Sequence, residues 1–158
     1  MRTTFLRVAA SVAAAIALFT MSDIAGGVSA NAAPQVPDDA TFVMQVFPHD
    51  TTAVNFWDSW GARRSGGRRH QGTDIMSPRG TEVVAVADGV IEEMGKARLS
   101  GYFIRIDHGD GWTTTYMHLN NDTFGTDDGE GGTWTAFHPT LTEGQEVEAG
   151  QVIGYVGD

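Results

Sequence analysis

From residue 75 onward the chain alternates apolar and polar positions in short runs separated by glycine-containing turns. In Tyr102-Phe103-Ile104-Arg105-Ile106-Asp107, the alternation puts Tyr102, Ile104 and Ile106 on one face of a strand. His108-Gly109-Asp110-Gly111 supplies residues that accept a positive φ, so it predicts a hairpin connection. The return strand, Trp112 to Leu119, then carries Trp112, Thr114, Tyr116 and His118 on a common face. Upstream, Ser77-Pro78-Arg79-Gly80 and Asp88-Gly89 read as turns bounding strands at Glu82 to Ala87 and Val90 to Met94. Phe42 to Phe47 is a further strand, stopped by Pro48, and Asn55 to Arg69 is a long irregular loop with Trp57 and Trp60 as anchors. Gly144 to Asp158 predicts two short strands that echo Gly80 to Ile91, as a duplicated unit would, and leaves the last strand with an open edge. Residues 120–138 form an acidic, glycine-rich insertion that reads as a flexible surface loop. Its carboxylates offer calcium ligands, but their spacing does not match an EF-hand. No segment beyond the N-terminus has helical periodicity, so the class is all-β, an antiparallel domain over residues 42–158.

The N-terminus has a different character. Arg2 and Arg7 precede an apolar stretch from Val8 to Phe19, followed by small-residue sites at Val28-Ser29-Ala30 and Ala30-Asn31-Ala32. That order is the pattern of a cleaved secretory signal over residues 1–32, with the alternative of an uncleaved anchor. The apolar stretch is short against the roughly 20 residues of a membrane span, so no stable insertion is expected after cleavage. Residues 33–41, with Pro34 and Pro37, read as a linker. The expected location is therefore secreted, at the cell envelope. The absence of cysteine leaves packing, and any metal, to stabilise an exported domain.

The formal charge is −10, and residues 1–32 contribute +1 of it through Arg2, Arg7 and Asp23, leaving −11 on the remainder. So acidic a chain is a poor partner for nucleic acid. The charge is uneven: Arg63, Arg64, Arg68 and Arg69 cluster ahead of His70, and no lysine or arginine follows Arg105. The cluster reads either as a solvated loop or as a contact for anionic wall polymers.

His70-Gln71-Gly72-Thr73-Asp74 sets an imidazole and a carboxylate four residues apart, a donor set suited to zinc. In a straight strand they would lie roughly 13 Å apart, so the chain must bend between them, and Gly72 is the residue that permits it. Alone, the pair reads equally as a polar loop. His49, His108 and His138 lie in turns or beside prolines, outside any ligand motif.

Taken together, Ser59-Trp60-Gly61-Ala62-Arg63, His70 to Ile75, Gly80 to Gly89, Tyr116-Met117-His118-Leu119 and Gly144 to Gly157 resemble the lysostaphin-type, or LytM-like, zinc metallo-endopeptidases that cut peptide cross-links of bacterial peptidoglycan. The resemblance covers residues 42–158 apart from the insertion. It implies an antiparallel β domain of duplicated, hybrid-motif character with a metal groove. It implies His70 and Asp74 as zinc (Zn2+) ligands, His118 as a catalytic histidine beside the metal, and Tyr116 as a residue touching substrate or packing the groove wall. Peptidoglycan peptides are the implied partner, with the oligomeric state left open. The family's His-x-His motif, source of the third zinc ligand, is absent from this chain. The expectation is a chain truncated ahead of that motif, with little hydrolytic activity on its own. The alternatives are a degenerate member that binds wall peptides or a partner hydrolase without cutting, and a lipoyl- or biotinyl-like carrier. The carrier requires a lysine on an exposed turn, and Lys96 lacks the context for it.

Overall fold

The computed structural model describes residues 41–49 and 51–158. The signal over residues 1–32, and the linker up to residue 40, lie outside the described residues. In chain order the strands are β1 (Asn55–Phe56), β2 (Ile75–Met76), β3 (Glu82–Val84), β4 (Gly89–Ala97), β5 (Gly101–Asp107), β6 (Thr113–Leu119), β7 (Glu146–Val147) and β8 (Val152–Tyr155). One helical turn, α1 (Thr133–Ala136), stands between β6 and β7. No helix among the described residues is long and apolar enough to cross a membrane.

Among the described residues three antiparallel sheets result, in the orders β6-β5-β4-β7, β3-β8 and β1-β2. The alternation in β5 is realised in full: Tyr102, Ile104 and Ile106 are buried, and they join Val83, Ala85, Ile91, Leu119, Phe137, Leu141, Val147 and Ile153 in one core. Each buried Val, Leu, Ile or Phe side chain among them contributes about 1.5–3 kcal/mol on leaving water.

The repeat is visible in the pairing. The first strand of the early copy, β3, pairs with the second of the late copy, β8, while β4 pairs with β7. The flanking hydrogen bonds match. Ala85 donates to Gln151 O and accepts from Gly150 N, at 2.9 and 2.8 Å, as Ile91 donates to Gln145 O and accepts from Gly144 N at the same distances. Each copy thus completes the other.

Several expectations are corrected. Phe42 to Phe47 forms no strand: Gln45 and Val46 each donate to Val86 O, but no ladder follows and Val43 and Met44 stay exposed. The segment read as an irregular loop contains β1 and a tight hairpin. The helical turn α1 is too short to leave a 3.6-residue period. The outer edge of β8 is not open, because Asn120 donates to Tyr155 O and His138 to Ile153 O.

Nor is the insertion loose. Asp122 is buried, accepts from Gly129 N at 2.7 Å and pairs with Arg79 at 3.2 Å. Gly131 passes so close that a Cβ there would lie 2.4 Å from Asp122 O, which explains a glycine at that position. Phe137 and Ala136 join the core.

In β6 the predicted common face breaks. Ile104 pairs with Tyr116 but Tyr102 pairs with Leu119, so Met117 and His118 together oppose Phe103. This bulge, with His118 at φ 57°, turns Leu119 into the core and leaves His118 exposed rather than beside Tyr116.

Candidate metal site

The β1–β2 pair matches Phe56 with Ile75 and Asn55 with Met76, which closes the segment between them into a loop. Ser59, just after β1, is thereby set against His70 and Asp74, just before β2. Between these runs a hairpin. Gly61 donates to His70 O and His70 to Ala62 O, both at 2.8 Å, Arg64 donates to Arg68 O at 3.0 Å, and Arg63 bridges Arg69. Its tip, Ser65–Gly67, turns on two left-handed glycines, Gly66 and Gly67.

Ser59 is 7% exposed and touches both expected ligands. His70 Nδ1 lies 3.0 Å from Ser59 Oγ and 3.1 Å from Ser59 O. A carbonyl oxygen can only accept, so Nδ1 carries a proton and Nε2 is the nitrogen left to meet a cation; the assignment is made from these partners. Asp74 N donates to the same Ser59 hydroxyl at 3.4 Å. Nε2 then faces Asp74 Oδ1 at 3.2 Å. The other carboxylate oxygen, Oδ2, takes the Arg64 guanidinium.

Two electron-pair donors at that separation repel unless a cation stands between them, either a proton or a metal. Donors at metal distances of about 2.0–2.2 Å in a tetrahedral shell are about 3.3 Å apart. The separation and the fixed tautomer therefore fit two ligand positions of one divalent ion. Gly72 lies at a bend, but not in the left-handed region; a Cβ there would lie 3.6 Å from His70 Nε2. Its missing side chain keeps the space before that nitrogen open, a role distinct from the flexibility expected of it.

His118 lies elsewhere on the chain path. Its amide donates to Ser100 O at 2.8 Å and its carbonyl accepts from Gly157 at 3.1 Å. Among the described residues no hydrogen bond or ion pair joins it to His70 or Asp74, and no third acidic or histidine ligand completes a group with that pair. Tyr116 packs against the core, and its hydroxyl accepts from Val86 N at 2.9 Å; burial raises its pKa. Both nitrogens of His108 are engaged, with Asp88 O and Thr114 Oγ1. His49 and His138 each use Nδ1, on Glu82 O and Thr140 Oγ1. The carboxylates of Asp122, Asp127 and Asp158 do converge, but Arg79 already pairs with the first two.

The sequence did not single out Ser59 and Arg64 as partners of His70 and Asp74. Ser59 was visible only as the first residue of the Ser-Trp-Gly-Ala-Arg piece, and Arg64 only as one arginine of a cluster.

Peptidase family M23 matches residues 68–158, more than half of the chain. The chain belongs to this family of peptidases, which bears out the resemblance drawn from its motifs. Among curated relatives, it is 36% identical over 108 residues to an L-Ala–D-Glu endopeptidase of Bacillus subtilis, covering 67% of this chain and 28% of that protein. It is 30% identical over 90 residues to the peptidoglycan DD-endopeptidase ShyC of Vibrio cholerae, covering 57% of this chain and 17% of that one. The chain thus spans under a third of the length of either. A solved structure from Ruminococcus gnavus, assigned as a glycyl-glycine endopeptidase LytM, superposes with a TM-score of 0.55 at 31% identity. It covers 73% of this chain and 44% of the other.

Proposed function

We propose that this chain contributes the metal-binding half-site of a zinc endopeptidase that hydrolyses peptide bonds in bacterial peptidoglycan, outside the cytoplasm. The observation that carries the reading is the convergence of His70 Nε2 and Asp74 Oδ1 at 3.2 Å with the tautomer set by Ser59. The names of the relatives support the substrate class, as peptide links of the cell wall.

In this reading His70 and Asp74 hold the ion. Zinc, when bound, supplies Lewis acidity toward the scissile carbonyl and the attacking water. Ser59 keeps the His70 lone pair aimed inward, and Arg64 occupies Asp74 Oδ2 so that Oδ1 remains for the ion. His118, exposed on its bulge, moves a proton or donates a hydrogen bond to the developing charge. Tyr116, with its hydroxyl taken by Val86, packs the wall beneath.

Zinc added to the chain is expected to shift the His70 ring signals in NMR, and both His70→Ala and Asp74→Asn should abolish the response. Mass spectrometry of wall material incubated with the chain should then show new amine and carboxyl ends that vanish with chelator. An unperturbed His70 ring at millimolar zinc, or cleavage that survives His70→Ala, would sink the reading. The presence of only two converging donors among the described residues favours a second reading, a non-catalytic module that binds wall peptides. Zinc-dependent peptide binding without cleavage would select it.

A further inference from the structure

The insertion between β6 and β7 carries aromatic surface that neither the core nor the metal pair uses. Phe124 and Trp134 are 48% and 58% exposed, yet their rings meet edge to face with centroids 5.9 Å apart. Phe124 also stands at 88° to Tyr155 of β8, at 5.2 Å. Exposed aromatic rings occur elsewhere, at Phe56, Trp57 and Trp60. Among the described residues, however, Phe124 and Trp134 are the one pair of exposed rings in contact with each other. An edge-to-face contact covers at most one face of a ring, so aromatic faces remain open to solvent. The backbone sets them there. In α1, Thr135 and Ala136 turn inward while Trp134 turns out, and a Cβ at Gly132 would lie 3.2 Å from Trp134 Cδ1, so the glycine makes room for the indole.

Each ring borders a cleft of its own. One, of about 250 Å³, is bounded by Phe124 together with Arg79, Asn120 and Thr123. The other, of about 240 Å³, is bounded by Trp134 together with Met94, Phe137, Pro139 and Leu141, an apolar lining. Charge restricts what such a surface can take. Arg79 is already paired with Asp122 and Asp127, Asp128 and Glu130 add negative charge, and no lysine or arginine follows Arg105. An anionic polymer is repelled here. Among the described residues the Glu130 carboxylate, the Thr133 hydroxyl and the Trp134 indole N–H form no hydrogen bond within the chain, so they are free for an uncharged ligand.

We propose that Phe124 and Trp134 form a binding face for a neutral glycan of N-acetylated amino sugars, separate from His70 and Asp74. A pyranose ring has a face of C–H groups whose slightly positive hydrogens suit the negative face of an aromatic ring, with hydroxyls at its rim. The acetamido N–H donates to an acceptor beside the rings, and its methyl group enters the apolar cleft next to Trp134. Free hydroxyl and carboxylate groups around the rings match a ligand rich in hydrogen-bond donors and without charge. Binding at this face stands independently of the metal pair; that the glycan is the sugar strand of the cell wall rests on the peptidoglycan reading.

The test is an NMR titration of the full chain, without added metal, with chitotetraose, the tetramer of N-acetylglucosamine, and with cellotetraose, its glucose counterpart. The indole N–H signal of Trp134 should shift while those of Trp57, Trp60 and Trp112 stay in place. Chitotetraose should bind about tenfold more tightly than cellotetraose, on the scale of one buried methyl group and one hydrogen bond. Affinity should be the same at low and high salt, since the ligand is uncharged. Trp134→Ala and Phe124→Ala should each weaken binding about tenfold with an unchanged circular dichroism spectrum. The indole shifts are read on the wild-type chain, so they decide the matter even if neither variant folds. A still Trp134 signal at millimolar chitotetraose, shifts at Trp57 or Trp60 in its place, or equal affinity for the two tetramers would each overturn the proposal. So would a Trp134 shift that follows protein concentration rather than sugar, which marks a second copy on this face. The readout uses neither zinc nor turnover, so the loss of the metal reading would show separately, in the His70 signals.

Discussion

A single serine ties together the two residues expected to hold the metal, and the space in front of them is kept by a glycine. Gly72→Val should place methyl groups against His70 Nε2. Zinc affinity is expected to fall by tenfold or more, roughly what the loss of a ligand's orientation costs, with little change in Tm. Calorimetric titration set beside a thermal melt separates the two effects. Tyr116 gives a contrasting expectation. Tyr116→Phe leaves Val86 N without its partner, and denaturant unfolding should show a loss of about 1–3 kcal/mol. Burial raises the Tyr116 pKa, so the folded state favours the neutral phenol. The stability this confers is present below the unfolded value of about 10 and is lost as pH rises from there through the higher folded value. Tyr116→Phe should flatten that alkaline decline.

At the scale of elements, the β6 bulge and the insertion carry the departures from a regular pattern. His118 occupies the left-handed region, which asparagine tolerates and β-branched residues do not. His118→Asn should therefore keep the wild-type Tm more nearly than His118→Val, while both remove the imidazole. In the insertion, Asp128 accepts from Thr123 N and Glu130 N at 3.0 Å, which lowers its pKa to about 2. A depressed carboxylate pKa contributes stability above the unfolded value of about 4, and that contribution fades as pH falls toward 2. The protection of the Thr123 and Glu130 amides, taken relative to their intrinsic exchange at each pH, is expected to fall across that window, and Asp128→Ala should show that loss of protection already at neutral pH.

For the whole molecule, the crossed pairing of the two repeat copies makes the core one cooperative unit. Ile104 is fully buried at its centre, on the middle of β5. Ile104→Ala should cost about 2–5 kcal/mol and lower a single transition rather than split it. Two transitions by calorimetry would contradict a shared core.

The strand pattern from residue 82 onward was legible because alternation with period two survives wherever one face is buried, as in Tyr102, Ile104 and Ile106. The turns were legible because glycine, proline and aspartate mark them by their backbone preferences. Where pattern and packing disagreed, packing prevailed. Phe42 to Phe47 is apolar enough for a strand, but no partner ladder reaches it. The bulge at Met117 and His118 leaves no mark in an alternating run, since it depends on which residue of β5 stands opposite.

By itself, then, the sequence determined the all-β class, the duplicated unit, the family, and His70 and Asp74 as candidates, because these rest on local periodicity and on residue chemistry at short spacing. Only the tertiary structure decided that Ser59 fixes the His70 tautomer, that Arg64 takes one oxygen of Asp74, that the insertion is anchored through Asp122, and that His118 faces outward. Each of these is a contact between segments whose separation along the chain says nothing about their distance in space.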